Sequence, residues 1–179
     1  MTSIITSLKE KLFPLKQIYT FDNFLNNDEC SQILDIINSY NFNKARQFSS
    51  GRNNKEIFIN DIYLSNLLNK KFNRSFFSTI KFKKYTEPFE FYKYDSGDYI
   101  NPHTDSPRLF SDNSESNFTA IIYLNDEYDG GATHFNDLDF SVKPVKGLLL
   151  LFNHSLKHEA QLVSDGVKYI YRSNWLVTR

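Results

Sequence analysis

The chain has 179 residues, with 21 Lys+Arg against 21 Asp+Glu, one Cys and one Trp. That length predicts one domain with a buried core, and zero formal charge excludes a broad electrostatic grip on nucleic acid or an anionic membrane. The lone cysteine excludes an internal disulfide framework and a Cys-rich zinc site, so a reducing compartment, the cytoplasm, is the expected setting. The first stretch, MTSIITSLKEKLFPLKQ, is no signal peptide, because Lys9, Glu10 and Lys11 interrupt the apolar run. Its Ile4, Ile5, Leu8 and Leu12 fall at helical spacing and predict a short amphipathic helix packed on the domain. The longest aliphatic run, Leu148 to Phe152, is far too short to span a bilayer.

Ile18 to Leu25 is aromatic and β-prone. Asn27 is a plausible N-cap for a helix running to about Asn38, with Cys30, Ile33, Leu34 and Ile37 on one face. Cys30 then reads as a small core residue. Asp61 to Phe72 predicts a second helix with Ile62, Leu64, Leu67 and Leu68 as its apolar face. From Glu87 the pattern changes to short strands. Phe89 to Tyr92, Asn117 to Leu124, Ala132 to Phe135, Gly147 to Phe152 and Val167 to Val177 are separated by turn signals such as Asp129-Gly130-Gly131 and Ser164-Asp165-Gly166. Helices first and many strands afterwards predict an antiparallel β sandwich or barrel buttressed by N-terminal helices. Ser106 to Ser116 is polar and long enough for a mobile lid over a site carried by the loops.

His103 and Asp105 stand two residues apart in P-H-T-D, so on an extended segment they point the same way and can grip one metal ion. His158 follows several strands later. Two His and one carboxylate with open positions is the donor set of non-haem iron(II) oxygenases. Taken alone, the pattern also fits a solvated dyad with a hydrogen-bonded histidine, or a zinc site, although no general base stands at motif spacing for a zinc hydrolase. Lys168 and Arg172 share one strand face and would bring a cation to the same interior, where it needs an anionic partner.

Five blocks occur in order: Y-D-S-G-D-Y-I-N-P-H-T-D (Tyr94 to Asp105), T-A-I-I-Y-L-N-D (Thr119 to Asp126), D-G-G-A-T-H-F (Asp129 to Phe135), K-P-V-K-G-L-L-L-L-F (Lys143 to Phe152) and H-E-A-Q-L-V-S-D-G-V-K-Y (His158 to Tyr169). Together they resemble the Fe(II)- and 2-oxoglutarate-dependent oxygenases of the prolyl 4-hydroxylase type, from roughly Phe89 to the C-terminus. The opening I-Y-T-F-D-N-F-L-N-N-D-E-C looks like that family's first strand and helix. The resemblance implies one domain, mainly β with N-terminal helices: a double-stranded β-helix (jelly-roll, cupin-like) catalytic core over 86–179 and a helical buttress over 1–85. It implies iron(II) held by His103, Asp105 and His158, with 2-oxoglutarate and dioxygen as cosubstrates and ascorbate as a candidate reductant. Lys168 matches the basic residue that pairs with the distal carboxylate of 2-oxoglutarate, and Arg172 is either an alternative anchor or a structural ion pair. Tyr123 matches a residue that hydrogen-bonds the same cosubstrate, and Tyr94 an active-site tyrosine.

The implied reaction is hydroxylation of a prolyl residue in a peptide or protein. Hydroxylation of a free amino acid or peptide natural product is the alternative within the family, and an inactive jelly-roll binding module the alternative outside it. Two departures bear on the substrate. Ile100, with Tyr99 beside it, stands where collagen-type members have Tyr, and Asn174 stands where they have Trp, with Trp175 following. His154 is expected beside the metal ligands or at the surface, and His134 on the solvent face of its strand.

Overall fold

The computed structural model describes residues 18–47, 51–72 and 81–178; the helix expected over Ile4 to Leu12 lies outside them. Its elements are β1 (Ile18–Phe21), α1 (Asn27–Asn38), β2 (Asn43–Lys44), β3 (Lys55–Ile59), α2 (Ile62–Phe72), β4 (Lys81–Tyr85), β5 (Phe89–Tyr94), β6 (Ile100–His103), β7 (Phe118–Tyr123), β8 (Tyr128–Gly130) and β9 (Thr133–Phe135). After a 3-10 turn at Asn136–Leu138 come β10 (Phe140–Val142), β11 (Leu149–Asn153), β12 (His158–Ala160), β13 (Val163–Gly166) and β14 (Lys168–Thr178).

A large sheet runs β1-β11-β7-β14-β5-β3-β2, with β4 also paired to β14, and a smaller one runs β10-β9-β12-β6. Strands β13 and β8 form a separate ribbon. Every pairing is antiparallel. The large sheet is covered on both faces. One face meets α1 and α2 through Phe89, Phe91, Ile122, Leu151, Tyr171 and Trp175. The other meets the small sheet through Tyr94, Tyr123, Phe135, Phe152 and Ile170. Double coverage explains why β7 is buried at all six residues and why Glu90 and Tyr92 are buried along with Phe89 and Phe91; strands covered on two sides lose polar alternation. The segment expected as helical, 1–85, also supplies β1 to β4, so the large sheet is built partly from it.

The helix starts differ from expectation. The α1 cap is Asn26, not Asn27: its side chain accepts the Glu29 N–H at 2.8 Å and Glu29 returns the bond to the Asn26 N–H at 2.8 Å. A reciprocal box needs Glu or Gln three residues after the cap; Asn27 would have faced Cys30. Losing such a cap costs about 1 kcal/mol. In α2, Leu64, Leu67 and Leu68 are buried but Ile62 is 76% exposed. At roughly 100° per residue Ile62 lies about 200° from Leu64, on the opposite side of the helix. The 106–116 segment is closed on itself: Phe110 N–H bonds Ser114 O at 2.8 Å, Ser116 N–H bonds Arg108 O at 2.9 Å, and Lys84 pairs with Asp112.

Candidate active site

Strands β6 and β12 lie side by side with His103 opposite His158. Just past β6, the Asp105 N–H donates to His154 O at 3.1 Å, which turns the carboxylate back toward both imidazoles. His103 Nε2 stands 3.9 Å from Asp105 Oδ1 and His158 Nε2 3.8 Å from Oδ2. One ligand atom from each residue lies within 4.8 Å of the others. Both Nδ1 atoms face main-chain carbonyls, His103 that of Asn101 at 2.8 Å and His158 that of Leu156 at 3.0 Å. A carbonyl only accepts, so each Nδ1 carries a proton, and each Nε2 is the nitrogen turned toward Asp105. Burial pushes the His158 imidazole down to about 4, so it is neutral at pH 7. Burial alone would raise the Asp105 carboxyl. The Arg172 guanidinium first, then His158 and the Thr119 hydroxyl, outweigh burial and hold it well below the ordinary carboxylate range. Two imidazole Nε2 atoms and one ionised carboxylate, all oriented, are a donor set that fits iron(II) with open positions.

These residues open onto a cavity of about 590 Å³ whose walls include Arg46, Tyr94, Ile100, Thr133, Lys168 and Arg172. Lys168 is 1% exposed. Its Nζ donates to Gly131 O at 2.6 Å and lies 4.7 Å from the Tyr94 ring centre and 5.5 Å from that of Tyr123. Among the described residues no carboxylate pairs with it, and burial pushes its ammonium down to about 7. Gly131 makes room for this arrangement: with φ at +65° it adopts backbone that L side chains avoid, and a Cβ there would sit 3.1 Å from Lys168 Cδ. A buried ammonium with one carbonyl and two ring faces around it has donors to spare for an anion such as a carboxylate of 2-oxoglutarate.

Arg172 is differently placed. It donates to Asp105 Oδ1 at 2.9 Å through one nitrogen and to Glu90 Oε2 at 3.3 Å through the other. Glu90 also accepts from the Tyr92 hydroxyl at 2.7 Å and from Arg46 at 3.3 Å, so a line of alternating charge runs Arg46–Glu90–Arg172–Asp105. Tyr94 is in the cavity wall opposite Lys168 in register. The Tyr123 hydroxyl is turned to Thr133 Oγ1 at 2.7 Å, and Thr133 rather than Tyr123 faces the cavity.

His154 is buried, with Nε2 2.9 Å from Ser116 Oγ and Nδ1 2.9 Å from Thr119 Oγ1, and Thr119 donates to Asp105 Oδ2. His134 is partly exposed and bonds Ser141 Oγ at 2.9 Å. Sequence reasoning gave no role to Thr119 or Glu90. The period-2 rule held a signal for both, since Thr119 shares a face with Tyr123 and Glu90 with Tyr94. Arg46 and Arg52 carried no such signal, because they reach the cavity from a loop. Of the two departures, Ile100 lines the cavity, while Trp175 faces the helices, 5.2 Å from Phe82 and 6.5 Å from Phe24 between ring centres.

The sequence model of the 2OG-Fe(II) oxygenase superfamily matches residues 89–176. A protein of Acanthamoeba polyphaga mimivirus named "Putative prolyl 4-hydroxylase" is 25% identical over 186 residues, covering 88% of this chain and 73% of its own length. Among solved structures, the viral collagen prolyl hydroxylase of Paramecium Bursaria Chlorella virus-1, in its 2OG complex, superposes with a TM-score of 0.67 at 22% identity, covering 89% of this chain and 94% of that one. A prolyl hydroxylase from Trichoplax adhaerens, complexed with a hypoxia inducible factor oxygen degradation domain peptide fragment, gives 0.67 at 18% identity over 89% and 83%. A Pseudomonas putida prolyl-4-hydroxylase gives 0.64 at 20% identity over 93% and 95%. These likenesses identify the fold. No helix among the described residues is long and apolar enough to cross a membrane.

Proposed function

We propose, since this chain is a 2OG-Fe(II) oxygenase of prolyl 4-hydroxylase-like type, that it hydroxylates a prolyl residue of a peptide or protein, with His103, Asp105 and His158 as iron ligands. Members of that superfamily use iron(II), 2-oxoglutarate and dioxygen, and the metal with its cosubstrates supplies the oxidation of an unactivated carbon. The observation that carries the reading is that two imidazole Nε2 atoms, one ionised carboxylate and a lysine with no carboxylate partner among the described residues share a single cavity. The chain's own residues do four things. Asn101 O and Leu156 O hold the ligand imidazoles in one tautomer. Arg172 keeps Asp105 ionised. Lys168 receives the distal carboxylate of 2-oxoglutarate, with Tyr94 beside it and Tyr123 fixing Thr133 in the wall. The two sheets enclose the inner end of the cavity, where Lys168 is almost wholly buried.

Lys168 is preferred over Arg172 as the anchor because two carboxylates already neutralise Arg172. The catalytic core over 86–179 and the buttress over 1–85 belong to the same proposal, with Arg46 and Arg52 as the buttress residues that reach the cavity. The peptide substrate is favoured by the names of the relatives and by a cavity open at Ser106, Pro107 and Arg108. The test is release of succinate from 2-oxoglutarate with iron(II), stimulated by proline-containing peptides that gain one oxygen atom in mass. Oxidation of free amino acids alone rejects the peptide substrate, and no succinate release under any condition rejects the activity.

A further inference from the structure

Asp105 is held at its second oxygen by a hydroxyl with one proton to give. Thr119 donates that proton to Asp105 Oδ2. An ionised carboxylate only accepts, so the Thr119 proton is committed, and the His154 Nδ1 found 2.9 Å from Thr119 Oγ1 must itself carry hydrogen and donate. The other ring nitrogen of His154 lies 2.9 Å from Ser116 Oγ, and that oxygen accepts the Arg108 N–H at 2.8 Å, which leaves the Ser116 proton for Nε2. The result is a chain with one sense, from Arg108 N–H through Ser116, His154 and Thr119 to Asp105. Its three side chains are buried, Ser116 at 2%, Thr119 at 1% and His154 at 4% exposure. The main-chain bond from Asp105 N–H to His154 O fixes the same two residues from the other side.

Arg172 pulls on Asp105 Oδ1 and Thr119 on Oδ2. Donors on both oxygens set the plane of the carboxylate; with one gone, it can turn toward the other. We propose that His154 is a positioning residue for the reaction: it holds the Thr119 hydroxyl in the orientation that aims the Asp105 carboxylate at the Nε2 atoms of His103 and His158. This rests on the metal-site reading above. It also makes the start of the 106–116 segment, at the cavity mouth, the far end of the device that orients a metal ligand.

The test is calorimetric titration of metal-free protein with Mn(II), with thermal denaturation and steady-state kinetics in parallel. His154→Leu and Thr119→Val, the second an isosteric loss of the hydroxyl, are each expected to weaken Mn(II) binding about tenfold. His154→Asn, whose amide can donate from the position of Nδ1, is expected to recover to within about threefold of the parent. The double variant is expected to bind no more weakly than Thr119→Val alone, because His154 acts through Thr119. kcat should fall while KM for 2-oxoglutarate stays level, since the Lys168 end is untouched. Parental Mn(II) affinity in His154→Leu, or additive losses in the double variant, overturns the inference and leaves the metal site standing. If His154→Leu does not fold, Thr119→Val with parental affinity overturns it equally. A parent that binds no metal overturns both readings.

Discussion

Tyr171, Trp175 and Val177 of β14 pack toward α1 and α2 among Phe89, Phe91, Ile122 and Leu151, whereas Lys168 and Arg172 of the same strand face the cavity beside Tyr94, Glu90 and Asp105. These residues of β14 are buried or half-buried on both faces. The helix-side face is filled as a globular core is filled, with aromatic rings at 5 to 7 Å centre to centre. The cavity side carries Lys168 and Arg172 with the carboxylates of Glu90 and Asp105, and of these four Lys168 alone lacks an oppositely charged partner among the described residues. An uncompensated buried charge opposes folding. One strand therefore separates what the fold needs from what the reaction needs, and substitutions on its two sides should fail in different ways.

The largest effect belongs to the proposed ligands. His103→Ala or His158→Ala should abolish succinate release and reduce bound iron from one per chain toward none, measured by metal analysis, while the melting temperature stays within a few degrees of the parent. Activity retained in either variant removes that residue from the triad. On the opposite face, Trp175→Ala should destabilise by about 3–5 kcal/mol in denaturant unfolding, with KM for 2-oxoglutarate unchanged in the fraction that remains folded. A shifted KM would mean that the two faces are not independent.

Lys168→Ala comes next. Loss of a charged hydrogen-bonding partner for a buried carboxylate is worth about 1.5–3 kcal/mol, so KM for 2-oxoglutarate should rise roughly 10- to 100-fold. Arg172→Ala should act mainly on kcat and iron affinity, through Asp105. The reverse ranking in KM would make Arg172 the anchor. A pH effect of comparable size follows from the same residue. Burial lowers the Lys168 ammonium to about 7, so below that pH it is charged before 2-oxoglutarate arrives, and above it each binding event must take up a proton. The groups facing it, the rings of Tyr94 and Tyr123 and the carbonyl of Gly131, are uncharged. Affinity for 2-oxoglutarate should therefore fall as pH rises from 7 to 9, by up to about tenfold per unit. A pH-independent affinity over that interval would mean that Lys168 stays protonated without its partner.

Much of this division was legible in the chain. Even spacing along Lys168, Ile170 and Arg172 put three residues on one face, and ordered blocks carried the resemblance that named His103, Asp105, His158 and Lys168. The double coverage of the large sheet was not legible, because Glu90 reads as a solvent residue until Arg172 and Tyr92 are found around it. The strands β3, β4 and β6 were also missed, as were the short β2, β8, β10, β12 and β13, of which β8 and β13 run through stretches read as turns. Charged residues in Lys55–Ile59 and Lys81–Tyr85 mask β propensity, and Pro102 interrupts β6, which pairs only at the edge of its sheet. The contact between Thr119 and His154 joins residues 35 apart in the chain and had no local sign.

The central assignment is that iron and Lys168 grip two ends of one 2-oxoglutarate molecule. The direct measurement is an anaerobic calorimetric titration of 2-oxoglutarate into the protein with and without iron(II) at pH 7. Expected are saturation at one 2-oxoglutarate per chain with iron and binding at least about tenfold weaker without it. Equal affinity in the two titrations would mean that metal and cosubstrate do not share a site, and the assignment of His103, Asp105, His158 and Lys168 to one centre would fall.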